Sequence, residues 1–307
     1  TAYQDCYASL NAGKTLGIGN YDSANIIHSN GKFYLLVGTS TSNRDHFYIV
    51  DAKTLYYENS AVVGANLSGL TILNEQYGLV TGDGIRRIDL KSLNNVRIKN
   101  ERLLCFYNSI IYNGKVLSND TYKDESKVKY YDVNELIAAK EGEAPAVTEL
   151  DIIQKQKINF VLAKDGNVYT LESADNGCNI VKIKNDFTLE KVFANFQPAK
   201  GPYHSSPTIG MVASETENII YLVSTDGAIY KYILGDSDSL KAPFIAAESG
   251  VSITAPLQLN QQSGELYVTY TEERKDESKI VVYSKDGKVL HTVDCGESVP
   301  SQILFNN

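Results

Sequence analysis

Residues 201–207 concentrate the side chains best suited to acid–base chemistry in this sequence of 307 residues. There His204 stands directly before Ser205 and Ser206, so an imidazole base lies beside two hydroxyl nucleophiles. Neighbouring residues rarely reach the geometry in which a base activates a nucleophile, and the sequence has no G-x-S-x-G elbow. The segment therefore predicts a loop that contacts a ligand, and we assign no catalytic residue.

Histidines and acidic runs are the other sources of metal ligands. The 4 histidines are widely separated, and the acidic runs 120–125 and 271–277 lack the D-x-[DN]-x-[DN]-G pattern of calcium loops. The cysteines form no C-x-x-C pair with zinc-site spacing. We expect no metal and no cofactor, and we interpret the acidic runs as solvated hairpin tips.

The 4 cysteines allow two interpretations. Free cysteine is among the most buried residue types, so all of them can be buried thiols. Alternatively, Cys6 and Cys295 form a disulfide that joins the two ends of the chain. Such a bond would stabilise the fold by about 4–5 kcal/mol in the chain-entropy model. Only the separation of the two Cα atoms decides between the two interpretations.

The elements that must position these residues are short β-strands joined by tight turns. Dipeptides of Asn or Asp followed by Gly tolerate positive φ and favour type I′ hairpins. Apolar β-forming residues flank each such dipeptide, which predicts an all-β protein. The dipeptides are Asn30-Gly31, Asp83-Gly84, Asn113-Gly114, Asp165-Gly166, Asp226-Gly227 and Asp286-Gly287.

One strand type ends in Asp and is followed four residues later by Leu. The pairs are Asp51 with Leu55, Asp89 with Leu93, and Asp132 with Leu136. An Asp at this position can fold back onto the following turn as an Asx-turn, and the Leu can anchor the next strand. After the third pair, residues 134–140 predict one short helix.

Units of four short strands recur about every 40–50 residues, which is typical of β-propeller blades. First strands begin near residues 25, 69, 107, 157, 205, 252 and 299. This spacing predicts a seven-bladed β-propeller whose last blade combines residues 299–305 with strands from residues 1–20. A six-bladed ring with frayed ends is the alternative. No linker interrupts the repeat, so we expect a single domain over residues 1–307.

Composition excludes several classes of protein. The net charge is −8 and 43% of residues are hydrophobic, which argues against a nucleic-acid binder and against disorder. No apolar run of about 18 residues predicts a transmembrane segment. Because the chain begins at Thr1, we expect a processed product whose export signal has been removed.

Propellers present ligand-binding side chains on the connections between blades, and we expect a small molecule, a glycan or a protein as the partner of a monomer. Trp is absent, which weakens the case for a sugar platform, although Tyr can substitute. The candidate ligand-binding residues are Tyr21, Asp22, Tyr107, Asn108, Lys157, Tyr203, His204 and Glu248.

Residues 30–37 and 47–55 resemble the strand pair of the YVTN/YncE-like propeller superfamily. The Tyr-rich, Trp-free composition is similar to that of uncharacterised secreted or lipid-anchored propellers of gut Bacteroidetes. The resemblance implies an extracytoplasmic location, in the periplasm or at the cell surface. It also implies a lipid anchor upstream of the chain and a binding or scaffolding role, often beside nutrient-uptake systems.

Three functional hypotheses follow. We favour a non-catalytic binding or scaffold propeller. The alternative is a propeller enzyme of the lactonase, lyase or glycoside hydrolase type, in which Asp22, His204 and Glu248 converge at the channel mouth. An intracellular hub of the WD40 type is disfavoured because its Trp-Asp and Gly-His dipeptides are absent.

Overall fold

The structure is a computed structural model. It describes residues 6–14, 21–39, 44–65, 67–82, 84–99, 109–119, 126–143, 145–154, 159–199, 210–272 and 277–296, with Ile303 and Phe305. Over these residues the chain is almost entirely β, with α-helices α1 (Cys6–Leu10) and α2 (Val133–Ala138) and one 3-10 helix (Ser237–Leu240). No helix among them is long and apolar enough to cross a membrane.

The chain divides into two compact units, residues 1–151 with 306 and residues 152–305 with 307. The first unit holds three antiparallel sheets, and the last strand of sheet 3 runs past its boundary. Sheet 1 contains β1 (Tyr21–Ser29), β2 (Lys32–Thr39), β3 (Asp45–Asp51) and β4 (Tyr57–Gly64); sheet 2 contains β5 (Leu67–Ile72), β6 (Tyr77–Gly82), β7 (Gly84–Asp89) and β8 (Asn95–Lys99); sheet 3 contains β9 (Ile110–Tyr112), β10 (Lys115–Asn119), β11 (Ser126–Asp132) and β12 (Val147–Gln154).

The second unit holds three further antiparallel sheets. Sheet 4 contains β13 (Val161–Leu162), β14 (Val168–Ala174), β15 (Gly177–Ile183) and β16 (Leu189–Phe196); sheet 5 contains β17 (Met211–Ala213), β18 (Ile219–Val223) and β19 (Ile229–Ile233); sheet 6 contains β20 (Val251–Ile253), β21 (Gln258–Leu259), β22 (Leu266–Glu272), β23 (Ser278–Tyr283) and β24 (Val289–Gly296).

The prediction of seven blades is wrong, and the six-bladed alternative is right. Residues 6–10, expected in a strand of the seventh blade, form helix α1. The helix continues into a turn in which the Asn11 amide N–H donates to the carbonyl of Tyr7 at 2.9 Å. Ile303 and Phe305, expected in an inner strand, lie outside any strand. The prediction of a single domain over residues 1–307 stays a prediction.

Three strands differ from their predicted form. Strand β12 completes sheet 3, but helix α2 separates it from β11 in the chain. The predicted fourth strand of sheet 5 is reduced to one bridge between Ile229 and Ile245. The first strand of sheet 6 is split into β20 and β21, which both pair with β22. The split falls at Pro256, which has no N–H to donate to a neighbouring strand.

The hairpin prediction is correct for two described turns and wrong in turn type for three. Asn30 and Asn113 have φ values of 50° and 49°, and the following glycines are also positive, as type I′ requires. At Gly166, Gly227 and Gly287 only the glycine has positive φ. Their amides donate three residues back, at 2.9 Å in each case. These are type I turns closed by a left-handed glycine, which add one residue to the loop.

The predicted Asx-turns are confirmed after all three strands that end in Asp. The Asp51 carboxylate accepts from the Thr54 amide at 2.7 Å, and the Asp89 carboxylate accepts from the Ser92 amide at 2.7 Å. Asp132 accepts from the amides of Asn134 and Glu135 and so caps helix α2. The predicted short helix is confirmed, and it spans Val133–Ala138.

Apolar clusters fill the spaces between consecutive sheets within each unit. Sheets 1 and 2 share a cluster that includes Phe47 and Ile88, and sheets 2 and 3 share one that includes Ile98 and Leu136. In the second unit, sheets 4 and 5 meet around Ile180, and sheets 5 and 6 meet around Leu266. Each sheet is thus apolar on faces that neighbouring sheets cover, as stacked β layers require.

Substitution of the two leucines that follow the Asx-turns should change the free energy of unfolding by different amounts. Leu55 and Leu93 have φ of 60° and 59°, a strained left-handed conformation that Asn adopts more readily. Leu93 is buried, whereas Leu55 is only partly buried. We expect Leu55→Asn to change the free energy of unfolding by less than about 1 kcal/mol, and Leu93→Asn to lower it by about 2–4 kcal/mol. Urea unfolding measures both, and equal losses would contradict this account.

Candidate functional site

The structure describes the side chain of one of the eight predicted ligand-binding residues, Glu248. Tyr21 and Asp22 lie at the start of β1, but their side chains are outside the described part. The remaining predicted residues, which lie outside the described residues altogether, are Tyr107, Asn108, Lys157, Tyr203 and His204. Their convergence stays a prediction.

Glu248 lies just before β20 and forms an ion pair across sheet 6. Lys279 on β23 donates to its Oε1 at 3.0 Å, and the Lys279 Nζ also lies 5.9 Å from the centre of the Tyr270 ring. The Tyr270 hydroxyl is 3.1 Å from that of Tyr283. Burial, the Tyr283 hydroxyl and the Glu248 charge raise the pKa of Tyr270 well above its ordinary value. Glu248 therefore neutralises the charge of Lys279, which lies over the buried side chains of Tyr270 and Tyr283.

Another group of interacting titratable side chains in the described residues lies in sheet 4. Asp165 Oδ2 accepts from the Tyr169 hydroxyl at 2.9 Å and lies 2.8 Å from Lys182 Nζ. Asp165 Oδ1 accepts from the Asn167 amide at 3.1 Å. Both carboxylate oxygens are thereby used. We name these three side chains, Asp165, Tyr169 and Lys182, the sheet 4 triad.

The electrostatics of the sheet 4 triad favour one protonation state. Burial alone would raise the pKa of Asp165, but hydrogen bonds from Lys182, Tyr169 and Asn167 outweigh it and hold the pKa below its ordinary value. Burial and the bond to Asp165 raise the pKa of Tyr169. Asp165 is therefore ionised and Tyr169 protonated at neutral pH. The Asp165-Gly166 turn signal marks this place in the sequence, but the convergence depends on the cross-strand pairing of Tyr169 with Lys182.

A second polar network lies where sheets 4 and 5 meet. The Asn159 side chain donates to the Met211 carbonyl at 2.6 Å and accepts from the Met211 amide at 3.0 Å. The Thr170 hydroxyl donates to the Asn159 carbonyl, and the buried Gln154 donates to Thr170 at 2.9 Å. Gly210 has no room for a side chain, because an added Cβ would lie 2.5 Å from Asn159 Oδ1. The network joins the last residue of β12 to sheets 4 and 5 and stabilises the fold.

Several aspartates with lowered pKa values hold turns. Hydrogen bonds from Thr54 lower the pKa of Asp51, and those from Thr188 lower that of Asp186. Ser224 and the Ala228 amide do the same for Asp226. Within the described ranges, no group of three or more His, Cys, Asp or Glu side chains is placed to hold a metal ion.

Two cysteines have described side chains, and both are free thiols. Burial raises the pKa of Cys178 to about 11. Cys295 is only partly buried at the end of β24, and burial raises the pKa of its thiol as well. Cys105 and the side chain of Cys6 lie outside the described residues. Because Cys295 is a free thiol, the structure does not form the disulfide predicted between Cys6 and Cys295.

The sequence matches a family model described as a domain of unknown function, DUF5074, over residues 1–306. The chain belongs to the DUF5074 family. None of the curated proteins matches this member of the family in sequence.

Solved structures similar to this DUF5074 chain show its fold. A β-propeller domain from Myceliophteria thermophila matches with a TM-score of 0.52 and 12% identity, covering 91% of each chain. Virginiamycin B lyase from Staphylococcus aureus, solved with quinupristin, matches with a TM-score of 0.54 and 14% identity, covering 93% of this chain and 89% of the lyase. A prolyl endopeptidase matches with a TM-score of 0.56 and 12% identity over 92% of this chain.

The DUF5074 chain spans only 44% of the length of that prolyl endopeptidase. At such low identities the likeness concerns the fold alone. Together with the six antiparallel sheets, it establishes a β-propeller with six blades.

The sheet 4 triad predicts a pH-dependent contribution to stability. Because the folded chain lowers the pKa of Asp165, the stability that its ionised form adds is present at neutral pH and is lost as the pH falls below about 4. We expect Asp165→Asn to lower the free energy of unfolding at pH 7 by about 1 kcal/mol, a value that allows for solvent screening.

The difference between Asp165→Asn and the parent chain should shrink at pH 3, measured by urea unfolding at both values. Lys182→Met, alone and combined with Asp165→Asn, completes a double-mutant cycle. A difference that is unchanged at pH 3, or the absence of coupling between the two substitutions, would show that the ion pair does not stabilise the sheet.

Proposed function

We propose that this propeller is a non-catalytic binding or scaffold protein that works outside the cytoplasm, in the periplasm or at the cell surface, in association with nutrient uptake. One observation carries the proposal. In the sheet 4 triad, where titratable side chains converge, both oxygens of the Asp165 carboxylate are used for internal hydrogen bonds.

A general acid or base needs a lone pair or proton within hydrogen-bond reach of its substrate. Asp165 would have to break its contact with Lys182, Tyr169 or Asn167 before it could exchange a proton with a bound molecule. Asp51, Asp186 and Asp226 face the same requirement, because neighbouring hydroxyls and amides hold their carboxylates. These groups support a rigid scaffold that presents its connections to a partner.

The proposed location rests on the resemblance of residues 30–37 and 47–55 to YVTN/YncE-like propellers of the secreted or lipid-anchored type. The partner is a small molecule, a glycan or a protein held by the connections between blades. The lyase and endopeptidase activities belong to the similar proteins, and the likeness of fold does not transfer them to this chain.

Native mass spectrometry separates binding from catalysis. The purified chain is incubated with a panel of lactones, polyuronides and neutral oligosaccharides, and both the complexes and the free compounds are weighed. A binding protein retains one compound with unchanged mass and accumulates no product. More than one equivalent of product per protein molecule would overturn the non-catalytic proposal. If no panel member binds, small molecules and glycans of these classes are excluded and a protein partner is required.

The location is tested on intact cells of the organism that encodes the chain. An added protease should degrade a surface protein without lysis, and osmotic shock should release a periplasmic one. Recovery of the intact chain only after complete lysis, together with a cytoplasmic marker protein, would contradict an extracytoplasmic location.

A further inference from the structure

Within the described part of the chain, strand β24 is the outermost strand of sheet 6, because the hydrogen-bonded order of that sheet ends with it. Every residue from Val289 to Asp294 is exposed, on both faces of the strand. Three of them are apolar and strongly exposed: Val289 at 58%, Leu290 at 43% and Val293 at 44%. An edge with unpaired backbone groups and exposed apolar side chains is a template for another strand.

The other outer strands in the described part of the chain are less exposed than β24. Strands β4, β8, β12, β16 and β19 each bury at least one residue, as β24 does not. Charged residues on β4, β12 and β16 are used in ion pairs within their own sheets, such as Glu58 with Lys32 and Glu190 with Lys184. Strand β24 lacks both forms of protection.

The charges at the two ends of β24 are not used within the described chain. Lys288, just before the strand, and Asp294, near its end, form no ion pair with any described residue. Asp294 Oδ1 accepts only from the Gly296 amide, at 2.9 Å. A strand antiparallel to β24 would gain two opposite-charge pairs with a basic residue near its N-terminus and an acidic residue near its C-terminus.

Bulges limit what this edge can bind. The pairing of β23 with β24 is irregular at Leu290 and again at Cys295, which leaves a regular stretch of residues 291–294. Four residues span only about 14 Å. Pairing over so short a length buries little surface, whereas a stable protein interface buries roughly 800 Å² per partner. The edge therefore suits a short separate strand better than a second copy.

We propose that β24 binds a short extended segment of a partner protein by antiparallel strand addition. The segment has a basic residue facing Asp294, an acidic residue facing Lys288, and β-branched or apolar residues between them. Main-chain hydrogen bonds supply the affinity and the terminal charges set the direction. The inference rests on the proposed binding function and names its partner class as a polypeptide.

A displayed library of random octapeptides tests the proposal, with the purified full chain as bait. The second bait is the charge-swapped double variant Lys288→Glu/Asp294→Lys. The control bait, Lys164→Glu/Glu141→Lys, exchanges charges at two other exposed positions. We expect the parent and control baits to enrich peptides that run from basic to acidic, and the swapped bait to enrich the reverse order.

Affinities of the enriched peptides, measured by fluorescence polarisation, should fall about 2- to 30-fold on the swapped bait and stay unchanged on the control bait. Hydrogen exchange of the parent complex should show protection of residues 289–296. Failure to enrich any peptide overturns the proposal, as does equal binding to the parent and swapped baits.

Sedimentation that shows a dimer of the chain with residues 289–296 protected overturns it too, since a second copy would then occupy the edge. These outcomes differ from product formation in the mass-spectrometric experiment, which would overturn the proposed function instead. Peptides that bind the parent and swapped baits equally would leave the binding function standing and remove only β24 as its site.

Discussion

The backbone at the end of each third strand must turn sharply, and its N–H groups need acceptors once the ladder stops. In the first three sheets a single carboxylate supplies the acceptor. Asp51 and Asp89 hold tight turns, and Asp132 caps a helix through the same pair of amides. Because the chain reverses at these points, the outer strands pair beside the strands they follow. The meander of these three sheets depends on this local interaction.

Side chains that bond to backbone groups then join one sheet to the next within each unit. Arg87 of sheet 2 donates to the carbonyls of Leu136 and Ala139 around helix α2, at 3.2 and 2.9 Å. In the second unit Asn159 bonds both backbone groups of Met211, and Gln261 bonds Ala213 and the Glu215 amide. Such contacts specify which sheet faces which, while apolar clusters supply most of the favourable free energy.

Carboxylates that are occupied by hydrogen bonds within the chain also bear on function. A carboxylate that holds a turn or a lysine is ionised and occupied, which suits a scaffold and hinders proton transfer. Asp165 is the clearest example. Burial raises its pKa, but hydrogen bonds from three donors lower it by more, so the carboxylate stays ionised. Lys288 and Asp294 form no ion pair with a described residue, and they lie at the exposed edge of sheet 6.

The sequence by itself determined the strands, the Asx-turns, the helix after Asp132 and the β-propeller fold, because these depend on period-two patterns and on residues within four positions of each other. The sequence did not predict the type of turn at Asp165, Asp226 and Asp286. Each of these Asp residues has negative φ, and only the following glycine has positive φ.

Only the tertiary structure decided the number of blades, the sheet 4 triad and the exposure of β24. Each of these depends on contacts between residues that are distant in the sequence. Tyr169 meets Lys182 only through strand register, and residues 6–10 form a helix although their pattern also fits a strand. The spacing of residues along the chain does not show which sheet covers which face. The prediction of seven blades was wrong because it relied on that spacing alone.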